Sequence, residues 1–185
     1  RQTCPHGKCH MTFELLATGI EFVNKGFKGT KPEIERLVKN AKEEIHILIF
    51  SFGPEAEGLW DMLADILERG KHVTIVVNEF SKLNDNKWAE RIIKERLHGL
   101  NNKFGGRNFV LADFEKPGRG YLHAKVMVAD RKKMIIGSAN LSKGGLKNHY
   151  EMGVLIEGEE AWKVADIIEQ TAINKELCTI VPPNK

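Results

Sequence analysis

The stretch from Tyr121 to Tyr150, YLHAKVMVADRKKMIIGSANLSKGGLKNHY, limits the folds open to this chain more than any other part of it. Two apolar runs, Val126 to Ala129 and Met134 to Ile136, flank the charged Asp130-Arg131-Lys132-Lys133, so the stretch reads as a β-hairpin with a polar turn. With a two- or four-residue turn, Lys125 falls opposite Ser138 and His123 opposite Asn140, and opposed residues share a face of the sheet. His123 and Lys125 are two apart on one strand and share that face too, roughly 7 Å apart along it. The expectation is that an imidazole, an ammonium, a hydroxyl and a carboxamide converge. A bulge or a three-residue turn would slip the register by one and scatter them.

That set suits an oxyanion. Lysine and neutral donors stabilise a phosphoryl group's charge without exchanging protons with it, which leaves the histidine as nucleophile or acid/base. A hydrolytic metal centre would bring several Asp, Glu or His ligands together, and the hairpin lacks them, so neither metal nor cofactor is expected there. A lone histidine on a strand is most often structural. The weight therefore rests on spacing: His-x-Lys, four residues, Asp, six residues, Gly-Ser-x-Asn, supplied by His123, Lys125, Asp130, Gly137, Ser138 and Asn140.

Through Asn140 this spacing resembles the signature of the phospholipase D superfamily of phosphodiesterases, and the strand-helix order from about Thr18 onward is more loosely similar. The resemblance implies that His123 is the nucleophile, forming a phosphohistidine, or the acid that protonates the leaving oxygen, with water then releasing the intermediate. It implies that Lys125 and Asn140 hold the phosphate and that Ser138 supports the same pocket. Asp130, out of strand phase with His123, becomes a structural residue near the turn. Glu151 matches the family's downstream acidic residue that orients a motif histidine.

The family uses two such motifs per active site, and this chain has one. His6-Gly7-Lys8 is its only other His-x-Lys, but Phe13 stands where the aspartate belongs and no Gly-Ser-x-Asn follows. A homodimer with one composite centre is the simplest completion, its two His123 rings differing in role once substrate breaks the symmetry.

The rest of the chain frames the hairpin. Thr18 to Val23 reads as a first strand, and Thr30-Lys31-Pro32-Glu33 as a capped helix start whose face is Ile34, Leu37, Val38 and Ala41. Ile45 to Phe52 is a strand apolar on both faces, with His46 a satisfied or edge histidine. Helices follow over about Glu55 to Arg69 and Lys87 to Leu97, with strands at His72 to Val77 and Phe109 to Leu111. Leu100 to Gly120 is otherwise irregular. After the hairpin come a strand over Glu151 to Ile156 and a closing helix over Glu159 to about Asn174, with Trp162, Ala165, Ile168 and Ala172 facing inward. This succession predicts an α/β fold with a mixed, mainly parallel β-sheet flanked by helices on both faces. Residues 18–185 form a single catalytic domain, behind an N-terminal segment of residues 1–17.

Cys4, His6, Cys9 and His10 crowd that segment, but adjacent Cys9 and His10 fit one tetrahedral zinc poorly, and an ordinary mobile terminus is the plainer reading. Three cysteines form an odd, sparse set that favours a reducing, cytoplasmic setting. No apolar run approaches the roughly 20 residues that span a bilayer, and stable membrane insertion is not expected.

Charge bears on the substrate. Residues 101–150 carry a net +7 while the whole chain is +3. A basic surface around a phosphate-directed site suits a polyanionic backbone, with Lys103, Arg119, Arg131, Lys132, Lys133, Lys143 and Lys147 as candidate contacts. The expected function is a metal-independent nuclease acting on DNA or RNA. A phospholipase acting on an anionic lipid such as cardiolipin, and a catalytically inactive DNA-binding module, are the alternatives.

Overall fold

The computed structural model describes residues 11–115, 118 and 120–184, the side chains of Glu55 and Glu57 excepted. Cys4, His6, Cys9, His10 and Arg119 therefore lie outside the described residues. The strands are β1 (Thr12–Thr18), β2 (Lys28–Gly29), β3 (Glu44–Ile49), β4 (His72–Asn78), β5 (Phe109–Phe114), β6 (Lys125–Ala129), β7 (Lys133–Gly137), β8 (Glu151–Glu157) and β9 (Cys178–Ile180). They form one sheet in the order β2-β1-β8-β7-β6-β3-β4-β5-β9. The helices are α1 (Ile20–Val23), α2 (Thr30–Lys39), α3 (Glu57–Glu68), α4 (Trp88–Phe104) and α5 (Glu159–Ile173).

The mixed α/β class with helices on both faces stands, but the balance of directions differs from the expected mainly parallel sheet. Strands β3, β4 and β5 are parallel neighbours, as are β1 and β2, and every other neighbouring pair is antiparallel. The cause is connection length. The segments carrying α3 and α4 are long enough to return the chain for the parallel pairings of β3, β4 and β5, whereas the tight turn between β6 and β7 can join antiparallel strands alone.

Alternation along the strands divides the core into two layers. Ile45, Ile47 and Ile49 of β3 pack with Val73, Ile75 and Val77 of β4 beneath Ile34, Leu37, Leu63, Ile66 and Leu97 of α2, α3 and α4. Val76, Ala112, Val126, Val128 and Met134 face the other way, onto Ala161, Ala165, Ile168 and Ala172 of α5. The small residues of α5 let that helix lie close to the sheet, while each isoleucine buried beneath α2 to α4 contributes about 1.5–3 kcal/mol. Trp162 does not join them. It is 43% exposed, with the Arg131 guanidinium 5.9 Å from its ring.

The first strand also differs. It occupies Thr12–Thr18, so the sheet extends into the segment read as lying outside the domain, and Ile20–Val23 is helical. Gly19, at φ 103°, ends the strand and makes the corner. Helix α2 begins at Thr30 with Gly29 in the capping position, so Glu33 pairs with Arg36 at 2.9 Å instead of closing a capping box. Helix α4 runs on to Phe104, through the first residues of the stretch read as irregular.

The hairpin turn has three residues, Asp130 to Lys132, with Ala129 opposite Lys133 and Val126 opposite Ile136. Asp130 and Arg131 both take left-handed backbone, at φ 52° and 54°, and Lys132 N–H donates to Ala129 O at 3.0 Å. A tight turn of this hand matches the twist of the strands but strains residues other than glycine. Bonds to the rest of the fold offset the strain. The Asp130 carboxylate accepts the backbone N–H groups of Lys42, Glu43 and Glu44 at 2.7 to 3.1 Å. The Arg131 guanidinium reaches Glu44 and Glu169, each at 2.6 Å.

Candidate active site

One end of the sheet gathers Thr18, Ile49, Asn78, Lys125, Gly137 and Glu151, because Ile49 pairs with Lys125 and Val77, Thr18 with Glu151, and Gly137 with Gly153. The register is one residue away from that expected. Lys125 lies level with Gly137 rather than Ser138, and His123 precedes β6 in extended chain. The strands end here, and Ser138 is tied to Glu151 of β8, whose charge reaches Lys125. Gly137 is needed for the close approach of β7 to β8: a Cβ there would stand 2.7 Å from Met152 O and 2.8 Å from Gly153 Cα.

Lys125 is only 8% exposed. Its Nζ lies 2.9 Å from His123 Nδ1, donates to His123 O at 2.7 Å, and sits 5.2 Å from the centre of the Phe50 ring. His123 is exposed, its ring 4.6 Å from that of Phe50. Burial pushes the Lys125 ammonium below its ordinary range, and the nearby charge of Glu151 opposes that fall. The chain thus presents an imidazole to solvent with a nearly buried lysine behind it.

Ser138 Oγ hydrogen-bonds the Glu151 carboxylate, and the two strands continue their ladder there through Ser138 N–H and Met152 O at 3.0 Å. The other Glu151 oxygen lies 3.8 Å from His149 Nδ1. Asn140 sits where the chain turns back. Leu141 bridges to Phe52, Gly53 N–H donates to Leu141 O at 2.7 Å, and a Cβ on Gly145 would stand 2.3 Å from Asn140 O. The Asn140 Oδ1 atom is buried without a hydrogen-bond partner among the described residues.

The other sequence-predicted residues separate into two sets. Lys143 and Lys147 are exposed on the segment between Asn140 and Glu151, at the site. Lys103, Arg131, Lys132 and Lys133 are not brought there. They occupy the opposite end of the sheet, which along β6 is on the order of 15 Å away at roughly 3.4 Å per residue. There Lys103 pairs with Glu68 at 2.6 Å and Lys133 with Glu157 at 3.1 Å. Asp130 lies at that far end too, in the structural position that its strand phase implied.

The sequence reading missed several neighbours of the site. Phe50 follows β3 within the apolar run read as a strand and gave no signal of its own. His149 and Tyr150 directly precede Glu151, and that adjacency was the available clue. The Tyr150 hydroxyl donates to Glu21 at 2.8 Å and its ring meets Phe22 edge-on at 5.3 Å, which fastens α1 beside the site. Asn78 Oδ1 accepts Leu122 N–H at 2.9 Å and holds the segment that carries His123.

Among the described residues, Glu44, His46 and Glu169 form a cluster with metal-ligand spacing, at the far end of the sheet. Arg131 already bridges the two carboxylates, and the cluster serves the turn instead. At the His123 end the Lys125 ammonium stands with two imidazoles, one carboxylate, a hydroxyl and an amide, and the cation and neutral donors suit a phosphate.

A family model described as "Cardiolipin synthase, PLD-like domain" matches residues 34–172. The chain is 26% identical over 172 residues to the DISARM protein DrmC of Bacillus paralicheniformis, a match covering 92% of this chain and 67% of that protein. Among solved structures it resembles NucT from Helicobacter pylori at a TM-score of 0.68 and 22% identity, over 93% of this chain and 100% of that one. It also resembles a phospholipase D family member, Nuc from Salmonella typhimurium, at 0.65 and 17% identity, over 94% and 99%. The phosphatidylserine synthase of Haemophilus influenzae Rd KW20 matches at 0.64 and 20% identity over 92% of this chain but only 40% of that longer one. At these identities the structural likenesses are ones of fold.

Proposed function

Because this chain belongs to the phospholipase D superfamily of phosphodiesterases, we propose that it cleaves nucleic acid without a metal, through a covalent bond between His123 and phosphorus. The observation that carries the reading is the pairing of an exposed imidazole with the nearly buried Lys125 ammonium, 2.9 Å apart, at one end of the sheet. The imidazole attacks phosphorus, the bond to the leaving oxygen breaks, and that oxygen takes a proton from His123 of a second copy. Water, deprotonated by the second imidazole, then attacks phosphorus and frees the first. Lys125 stabilises the charge gathering on the non-bridging oxygens. In this reading the Asn140 amide N–H2 donates to the phosphate, and Ser138 and Glu151, hydrogen-bonded to each other, order the wall beside it.

A second copy has a surface to meet. Strands β1, β8 and the end of β7 leave Phe13, Leu15, Met152 and Ile136 on the α5 side of the sheet but beyond the part that the helix covers, and Phe13 is 63%, Leu15 51% and Met152 49% exposed. That apolar face borders Ser138 and Glu151, so a dimer packed through it would bring two sites together.

Lys143 and Lys147, exposed beside the site, favour a polyanionic strand as substrate. The apolar face favours one other reading, a lipid surface, and cardiolipin vesicles are the control for it. In chelator, the protein is expected to cut DNA or RNA, with His123→Ala lowering kcat/KM at least about a thousandfold. Cleavage only with added magnesium, or release of phosphatidic acid from the vesicles with nucleic acid left intact, would overturn the proposal.

A further inference from the structure

We propose that the cleft at the carboxyl ends of β3 and β4 is a subsite for one unpaired nucleobase next to the scissile phosphate. This rests on the nucleic-acid reading above and adds to it where the strand's base goes. The cleft has a volume of about 370 Å³ and is lined by Phe50, Phe52, Asn78, Glu79, Lys82 and Glu90 among others. That volume lies within the range of roughly 300–1,000 Å³ in which small ligands are held. It opens beyond the carboxyl ends of the parallel neighbours β3 and β4.

The cleft adjoins the reacting centre on two sides. Phe50 forms its wall and contacts the His123 ring, while Phe52 bridges to Leu141, the residue after Asn140. Asn78, on the same lining, holds Leu122 N–H and with it the His123 segment. A base seated here belongs to the nucleotide whose phosphate His123 attacks.

The lining has the chemistry that a base requires. Phe50 offers an aromatic wall, and stacking on such walls accepts any base. Glu79 and Glu90 offer acceptors to ring N–H and amino groups. Their charges would repel a phosphate chain were they free, but Lys82 pairs with Glu79 at 2.6 Å and Lys87 with Glu90 at 2.9 Å.

The rim is built rather than loose. Glu79 holds left-handed backbone at φ 50°, a strained state for a residue with a side chain. It is kept by Glu79 N–H donating to Phe114 O at 3.0 Å, and by the buried Asp113 carboxylate accepting Phe80 and Ser81 N–H at 2.7 and 2.8 Å. A paired, stacked base cannot enter without leaving the duplex, so single strands are the preferred substrate.

The test uses a single-stranded oligonucleotide with one cleavable phosphodiester between methylphosphonates, and the same strand with an abasic nucleotide on either side of that diester. Wild type is expected to lose tenfold or more in kcat/KM when the base on one side is missing. Leu83→Trp, which fills the cleft, is expected to cut the intact strand as slowly as wild type cuts the abasic one, and to cut both strands alike. Glu79→Gln is the second variant should Leu83→Trp fail to fold, with the same comparison at smaller amplitude. Equal wild-type turnover of intact and both abasic strands would overturn the subsite and leave the nuclease reading standing. Failure of wild type to cut any strand would overturn both.

Discussion

Lys125 is the residue whose placement says most about chemistry. It is an amphipathic side chain driven into the interior by its position on β6, opposite Ile49, with its ammonium delivered to the His123 ring and the Phe50 face. Desolvation lowers its pKa below the ordinary 10.5 despite the countercharge of Glu151. The cationic form that stabilises a phosphoryl oxyanion is therefore lost at a lower pH than for a free lysine. The alkaline limb of kcat/KM should fall below pH 10.5 and move upward in Lys125→Arg, whose guanidinium stays charged, though the variant's plateau will be lower because the planar fork fits differently. A pH-rate profile of both proteins checks this, and an unchanged limb in Lys125→Arg would exclude Lys125 as its source. His123, Lys125, Ser138 and Asn140 were named from spacing, and Glu151 from the family resemblance. Phe50, Asn78 and Tyr150 were not, because their contacts cross between distant elements.

At the scale of elements, the hairpin shows how a site can survive a wrong register. Counting residues did not reveal the three-residue turn, since Asp-Arg-Lys-Lys contains no glycine to announce left-handed backbone. The fold holds it by tertiary bonds that no local pattern encodes, namely Asp130 to the start of β3 and Arg131 to Glu44 and Glu169. The same slip would have ruined a site in mid-sheet. Here His123, Ser138 and Asn140 lie past the strand ends, outside the ladder that fixes Lys125 and Glu151. Asp130→Asn keeps a residue that tolerates this backbone and removes the charge, so it should lower stability by about 1–2 kcal/mol in urea unfolding and leave kcat/KM of the folded protein within about twofold. A loss of turnover without a loss of stability would place Asp130 in the chemistry.

For the whole molecule, order of elements, two-sided burial and the closing helix could be read from hydrophobic periodicity. The distribution of charge could not. Four of the seven basic residues expected at the substrate lie at the far end of the sheet, two of them held in ion pairs with Glu68 and Glu157, because sequence proximity to the motif is not proximity in space. Also invisible was the uncovered apolar face over β1, β8 and β7, which emerges only when Phe13 and Leu15 are seen beside Met152 and Ile136. If that face joins two copies, the wild type should have twice the chain mass of 20.9 kDa in light scattering, and Leu15→Asp should be monomeric and inactive together. A monomeric Leu15→Asp of full activity would remove the composite centre.

The covalent bond to His123 is the claim on which the account depends, and trapping it tests that claim most directly. Turnover of an oligonucleotide in chelator, quenched in alkali within milliseconds and digested for peptide mass spectrometry, should show the His123 peptide carrying one phosphoryl-linked nucleotide fragment, absent from His123→Ala. An adduct on another residue, or wild-type turnover by His123→Ala, would contradict it.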